Sequence, residues 1–231
     1  MNMTNIVLVH GLWADGSCWD RVVASLQRAG HQVTAAQLRL SSFEDDVTQV
    51  ARILDGQDGP TVLAGHSYGG AVISAAGSRS ARAAALVYVT ALAPQREEEL
   101  GAVLQRFPDL GLEAAMRQDG SGYLTLDPAA FAGVFAADAD PGRAAVMAAS
   151  QKPANGALFT ARPQDEPAWK SLPSWYVLAT EDRTLNPDAQ RFTADRCGAT
   201  VVEVAAAHAA MVSQPQTVAA VITQAAEHCA L

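Results

Sequence analysis

The hydrophobic residues of this chain form short uninterrupted runs, separated by stretches in which apolar residues recur every three or four positions. Runs such as Ile6–Val9 and Thr61–Ala64 are typical of strands buried on both faces of a parallel sheet. The stretches between them are typical of amphipathic helices. The predicted strands are Ile6–Val9, Gln32–Leu38, Thr61–Ala64, Ala84–Thr90, Trp175–Thr180 and Thr200–Val204.

Residues that favour helix ends support the same alternation. Ser42 precedes a predicted helix whose first turn carries the acidic run Glu44–Asp46, where the helix dipole favours negative charge. Asn186-Pro187 predicts another helix start, because an N-cap residue is followed by proline at the first helical position. The order of elements predicts an α/β fold, a mostly parallel sheet covered by helices on both faces.

The alternation stops at Pro94, and residues 95–169 contain no comparable strand. A structureless loop of this length is implausible inside a compact domain. We therefore predict a helical cap at about 95–169, inserted into a single domain (1–231) whose core is residues 1–94 and 170–231. The predicted cap helices are Leu100–Phe107, Leu112–Met116, Ala129–Ala137 and Arg143–Ser150.

Composition narrows the class of protein. Of 231 residues, 49% are hydrophobic and 17% charged, which excludes intrinsic disorder. The net charge is −8 and no basic cluster is present, so no nucleic-acid partner is expected. Three widely spaced cysteines offer neither a disulfide framework nor a zinc motif. Without a visible signal peptide or a run of about 20 apolar residues, we expect a cytoplasmic protein with no membrane partner.

One candidate for chemistry is the pentapeptide Gly65-His66-Ser67-Tyr68-Gly69, a G-x-S-x-G sequence between a predicted strand and a predicted helix. In that setting the turn is so tight that the serine adopts a strained backbone and projects its hydroxyl from the sheet edge. The glycines two residues before and after the serine avoid collisions in the turn. Ser67 is therefore the predicted nucleophile.

A serine hydroxyl needs a base, and the base needs an acceptor that fixes its tautomer. His208 follows the last predicted strand in a loop of small residues, at the same sheet edge as Ser67. Asp182 follows the preceding strand at that edge. Glu181 should project differently, and Asp188 lies inside the next helix. The chain order Ser67, Asp182, His208 is that of α/β-hydrolases.

The tetrahedral intermediate of acyl transfer needs two N–H donors. The Tyr68 N–H directly follows the nucleophile at a helix N-terminus, which favours an anion. The loop after the first strand, His10-Gly11-Leu12, supplies the Leu12 N–H as the second predicted donor.

Together, Val7–Gly11, Gly65–Gly70, Ala179–Arg183 and Ala207-His208 resemble the α/β-hydrolase superfamily. The chain is similar to its small capped branch, which contains bacterial esterases, plant methyl-ester esterases and hydroxynitrile lyases. The resemblance implies an eight-stranded fold, the Ser67–Asp182–His208 triad, the Leu12 and Tyr68 donors, no cofactor and no metal.

The chain departs from hydroxynitrile lyases at two positions. They carry a lysine after the catalytic histidine and a threonine beside the oxyanion loop, where this chain has Ala209 and Gly11. These differences favour hydrolysis over cyanohydrin cleavage. Haloalkane dehalogenases use an aspartate nucleophile, which Ser67 excludes.

We predict a serine hydrolase that cleaves a small carboxylic ester or lactone through an acyl-enzyme, in a monomer or homodimer. The alternatives are a C–C or amide hydrolase or a perhydrolase with the same triad, and a non-catalytic ligand-binding member like the hormone receptors of this fold. Cap arginines are expected to be solvated rather than to bind an anionic substrate. Removal of the cap is expected to affect substrate choice more than the triad. The candidate pocket residues are Trp13, Phe107, Tyr123 and Phe135, with Phe131, Phe159 and Trp169 as further aromatic candidates.

Overall fold

The strands fall into two sheets, one large and one small. A computed structural model describes residues 3–229 of the chain. In chain order its strands are β1 (Asn5–Val9), β2 (Gln32–Ala35), β3 (Thr61–His66), β4 (Ala83–Val89), β5 (Met116–Gln118), β6 (Tyr123–Leu126), β7 (Ala154–Asn155), β8 (Ser174–Ala179) and β9 (Thr200–Val204).

The large sheet has six strands in the order β2-β1-β3-β4-β8-β9, and all neighbouring strands are parallel. Every residue of β1, β3 and β8 is buried, as expected of strands covered on both faces. The parallel α/β prediction is confirmed. The eight-stranded expectation is wrong for the described residues, because the apolar runs supply six strands to this sheet.

The helices cover both faces of this sheet. In chain order they are α1 (Asp20–Arg28), α2 (Phe43–Asp55), α3 (Tyr68–Ser78), α4 (Leu112–Ala115), α5 (Pro128–Phe135), α6 (Pro141–Ser150), α7 (Pro187–Arg196), α8 (Ala210–Ser213) and α9 (Pro215–Cys229). α1 packs against α9 and α2 against α3, while α3 and α9 both pack on β3 and β4. Ser42 caps α2 by accepting a hydrogen bond from the Asp45 N–H, and Asn186 caps α7 through the Asp188 N–H.

The segment between β4 and β8 is not wholly helical, which corrects the prediction for residues 95–169. It contains α4, α5 and α6 together with the small antiparallel sheet β5-β6-β7. Between β5 and β6, the Asp119 carboxylate accepts the Ser121 and Tyr123 N–H groups and closes a turn. These strands have only two to four residues, too few to show the alternation that identifies a strand.

The fold opens a crevice at the carboxyl edge of the large sheet. β1 lies between β2 and β3, so the connections from β1 and β3 leave in opposite directions. Ligands of open α/β sheets bind at such a reversal of strand order. The loops after β1, β3, β8 and β9 all lie at this edge, which brings together the four segments singled out in the sequence.

Candidate active site

Ser67 occupies a strained turn between β3 and α3. Its φ of 53° and ψ of −122° lie in a region that residues with a side chain rarely adopt. A Cβ on Gly65 would lie 2.5 Å from the Gly69 carbonyl oxygen, and a Cβ on Gly69 would lie 2.5 Å from that of Val9. Both glycines are therefore required by close backbone contact.

The Asp182 carboxylate and the His208 imidazole form a buried pair. Asp182 Oδ2 lies 2.7 Å from His208 Nδ1, and both side chains have no exposed surface. Because a carboxylate oxygen accepts, His208 Nδ1 is the donor in this contact. Asp182 Oδ1 also accepts the Thr184 and Leu185 N–H groups, at 2.7 and 2.9 Å. These bonds hold the carboxylate in place.

Gln190 completes the surroundings of Asp182. This fully buried side chain of α7 donates to Asp182 Oδ2 at 2.8 Å and accepts the Ala179 N–H at 3.0 Å. It thus connects the carboxylate to the last residue of β8. Nothing in the sequence singled out Gln190, because an amide within a helix is ordinarily solvated.

The backbone of His208 is held from the β3 and β4 sides. His66 Nε2 donates to the His208 carbonyl oxygen at 3.0 Å, and the Thr90 hydroxyl lies 2.9 Å from the same oxygen. Burial, together with the nearby His208, holds the pKa of His66 well below its usual value, so His66 is neutral. His208 Nε2 is buried and has no hydrogen-bond partner within residues 3–229.

The loop after β1 packs directly on the nucleophile turn. A Cβ on Gly11 would lie 2.8 Å from the Ser67 Cβ, so glycine permits this approach. His10 fixes the loop: Nε2 accepts the Leu38 N–H at 3.0 Å, and Nδ1 donates to the Gly11 carbonyl at 2.8 Å. Burial lowers the pKa of His10 to about 4, which keeps it in this neutral form. β2 ends at Ala35, before the predicted Leu38, whose N–H is bonded to His10 Nε2.

Tyr68 begins α3, so its N–H has no acceptor within the helix. Its hydroxyl donates to the buried Asp46 Oδ2 at 2.9 Å. Asp46 Oδ1 accepts the Arg39 and Leu40 N–H groups, and burial raises the pKa of this carboxyl group. Tyr68 is thereby anchored to the segment that follows β2.

An apolar pocket opens above Ser67. It encloses about 440 Å³ of space, its mouth included, and both predicted oxyanion residues line it. Its lining residues are Leu12, Trp13, Ser67, Tyr68, Leu92, Leu100, Leu104, Leu112, Leu158, Phe159, Thr184 and Leu185.

An outer cavity adjoins this pocket and shares four of its residues. It encloses about 730 Å³, including space open to solvent, between the cap and the start of α7. Its carboxylates are Glu99, Asp109 and Glu113. The residues common to both cavities are Leu104, Leu112, Phe159 and Thr184.

The four aromatic pocket candidates lie in different places. Trp13 lines the pocket above Ser67, whereas Phe107 lines the outer cavity and packs against Phe192 with the two rings tilted by 51°. Tyr123 lies on β6 of the small sheet and lines neither cavity. Phe135 is fully buried behind the catalytic candidates, with its ring 5.1 Å from that of His208. Neither Tyr123 nor Phe135 lines the pocket or the outer cavity, and burial of a ring does not by itself indicate which surface it faces.

Further features concern metals and membranes. No three His, Cys, Asp or Glu side chains are grouped as a metal site within residues 3–229. In the same part of the chain, no helix combines the length and apolarity needed to cross a bilayer.

Comparison with known proteins gives consistent matches. A sequence model of the alpha/beta hydrolase family matches residues 6–221. Esterase PIR7B of Oryza sativa subsp. japonica is 28% identical over 92% of this chain and 91% of its own length. The carbendazim hydrolyzing esterase of Nocardioides sp. (strain SG-4G) is 33% identical over 45% of this chain, and the match spans about half of that relative, 48%. A pyrethroid hydrolase from Sphingobium faniae JZ-2 superposes with a TM-score of 0.82 at 26% identity, over 98% of both chains.

Proposed function

The chain belongs to the alpha/beta hydrolase family, and we propose that it is a serine-dependent carboxylic-ester hydrolase in which Ser67 is the nucleophile, His208 the base and Asp182 its partner. The observation that carries the proposal is the buried 2.7 Å contact between Asp182 and His208 at the sheet edge that also bears Ser67. The esterase and hydrolase names of the relatives support hydrolysis as the reaction.

In the first half of the reaction, Ser67 Oγ attacks the ester carbonyl carbon and its proton passes to His208 Nε2. Asp182 accepts the Nδ1–H and stabilises the imidazolium that forms. The Leu12 and Tyr68 N–H groups donate to the developing oxyanion, where fixed donors act without reorganisation. Collapse of the intermediate expels the alcohol, which takes the proton from His208, and leaves Ser67 acylated.

In the second half, His208 removes a proton from water, which attacks the acyl carbon. Collapse of this second intermediate breaks the bond to Ser67 Oγ, which takes the proton back from His208 as the acid leaves. A lactone follows the same steps, except that its alcohol stays attached to the acyl group. The lack of a hydrogen bond between His208 Nε2 and Ser67 within residues 3–229 does not oppose this sequence, since catalytic hydrogen bonds often tighten only when substrate binds.

The test combines labelling with turnover. A fluorophosphonate should modify Ser67 with one adduct per chain, and p-nitrophenyl esters should be hydrolysed. Ser67→Ala should abolish both, and His208→Ala should slow both while the fold is retained. Ser78→Ala is the matched control, because Ser78 is an exposed serine on the same helix and should leave both unchanged.

Two outcomes would contradict the proposal. Wild-type turnover by Ser67→Ala would exclude Ser67 as the nucleophile. Rapid labelling of Ser67, with no turnover across a panel of esters and lactones, would favour a ligand-binding member of the fold over an enzyme.

A further inference from the structure

The polar side chains of the pocket above Ser67 already have partners within the protein. Trp13 Nε1 donates to the Leu124 carbonyl at 3.1 Å, and the Thr184 hydroxyl donates to the Val134 carbonyl at 2.7 Å. The Tyr68 hydroxyl donates to Asp46. The rest of the wall is aliphatic or aromatic, apart from Ser67. Apart from Ser67, the side chains of this pocket therefore have no N–H or O–H donor left for a substrate, within the part of the chain that the structure describes.

Within residues 3–229, no cationic side chain lines either cavity. None of the residues that line the pocket or the outer cavity is a lysine or arginine. The charged groups of the outer cavity are carboxylates, and the arginine that pairs with Glu99, Arg162, belongs to neither lining. A carboxylate on the substrate would lose its hydration here without gaining a counter-ion.

Resting on the esterase function proposed above, we propose that the substrate is an electrically neutral, apolar ester, recognised by its shape and its scissile carbonyl alone. A hydroxyl group placed in the pocket would be buried without a partner, and an ionised group would suffer a much larger desolvation penalty. The pocket thus selects apolar esters because its side chains have no free polar group for a substrate, and it excludes anionic esters.

The test compares p-nitrophenyl esters that have the same leaving group and nearly the same shape. Heptanoate is paired with 6-hydroxyhexanoate, and 6-methylheptanoate with the monoester of adipic acid. We expect kcat/KM to be about tenfold lower for the hydroxylated ester and about 100-fold or more lower for the anionic ester. Rates measured with Ser67→Ala are subtracted as background.

Added salt distinguishes two possible causes of a preference for the neutral ester. One is the desolvation of a charged group in the pocket, and the other is long-range repulsion of an anion by a protein of net charge −8. Repulsion between exposed charges is largely screened at about 0.5 M salt, whereas the desolvation penalty in a pocket persists. We expect the preference for 6-methylheptanoate over the adipate monoester to persist at that ionic strength.

A variant at Leu104, where the two cavities meet, tests directly whether the lack of a cationic side chain causes the preference for the neutral ester. Leu104 is half-buried and lines both cavities. Leu104→Arg should reduce the preference for the neutral ester about tenfold or more, since it places a counter-ion there. Leu104→Met is the matched control and should keep the wild-type ratio.

Three outcomes would overturn the inference while leaving the esterase function intact. They are Ser67-dependent kcat/KM values within about threefold for the neutral and anionic esters, a preference that disappears in salt, and a Leu104→Arg enzyme with the wild-type ratio. Failure to hydrolyse any of these esters would instead count against the esterase function itself.

Discussion

Tyr68 contributes two groups to the proposed site. Its backbone N–H lies at the start of α3, while its hydroxyl holds the buried Asp46 carboxylate at 2.9 Å. The second contact fixes the position of the first, because Asp46 is bonded in turn to the backbone of Arg39 and Leu40. At the residue scale, the site therefore depends on polar groups that never touch the substrate.

We expect Tyr68→Phe to lower the free energy of unfolding by about 1–3 kcal/mol, since it leaves a buried carboxylate oxygen without its donor. We also expect kcat to fall about tenfold with little change in KM, because an oxyanion donor acts mainly in the transition state. Urea denaturation and steady-state kinetics measure the two effects.

Tyr88→Phe is the matched control for Tyr68→Phe. Tyr88 is fully buried and its hydroxyl contacts Ser74 Oγ at 2.8 Å, whereas Asp46 is bonded by Tyr68. The Tyr88→Phe variant should have a lower free energy of unfolding and the wild-type kcat. If both variants kept wild-type kcat, Tyr68 would have no positioning role.

At the scale of elements, the end of α5 supports the loops that carry Asp182 and His208. The Phe135 carbonyl accepts the Ala209 N–H at 2.9 Å, and the Val134 carbonyl accepts the Thr184 hydroxyl. The cap therefore does more than cover the pocket. Its deletion would remove contacts on both loops, so the expectation that cap removal affects substrate choice more than the triad stays a prediction to be measured.

Phe135→Leu tests this support without deleting the cap. Loss of the ring beside His208 should leave room for the imidazole to move, and kcat should fall about tenfold or more. The free energy of unfolding should also fall by roughly 1–3 kcal/mol.

Phe131→Leu is the matched control for Phe135→Leu, because Phe131 is equally buried on the same helix and packs on Phe135 rather than on His208. We expect a similar loss of stability and wild-type kcat. Equal kcat in the two variants would contradict a role for α5 in holding His208.

At the scale of the whole molecule, buried neutral histidines make folding dependent on pH. The pKa of His10 is about 4 in the folded protein, against a usual value of 6.5. Between these values the unfolded chain binds a proton that the folded chain does not. The contribution of His10 to the free energy of unfolding is therefore fully present above about pH 6.5, and it is lost as the pH falls towards 4.

The expected loss from His10 over this range is about 3 kcal/mol, and His66 acts in the same direction because burial lowers its pKa too. Asp46 opposes them, since its pKa is raised. Urea denaturation at a series of pH values measures the sum. His228→Gln, at an exposed histidine, should leave the dependence unchanged. Stability that stays constant between pH 6.5 and about 4 would contradict the prediction.

The sequence by itself determined the large sheet and the neighbourhood of the candidate residues. The apolar runs identified β1, β3 and β8 because both faces of these strands are buried. The edge strand β9 is largely exposed, yet it was predicted with its observed bounds, Thr200–Val204. Glycines around Ser67 predicted the tight turn because local sterics require them. The position of Asp182 and His208 after parallel strands placed them at one edge, since parallel strands end on the same side.

Only the tertiary structure decided what surrounds those residues. The small sheet in the cap, the support that Phe135 gives His208 and the bond from Gln190 to Asp182 all depend on contacts between segments distant in the chain. The periodicity of apolar residues indicates that a side chain is buried, but it does not indicate which residues surround that side chain. The chemistry of the pocket has the same origin, because the sequence shows Trp13 and Thr184 as donors, and only packing commits both to backbone carbonyls.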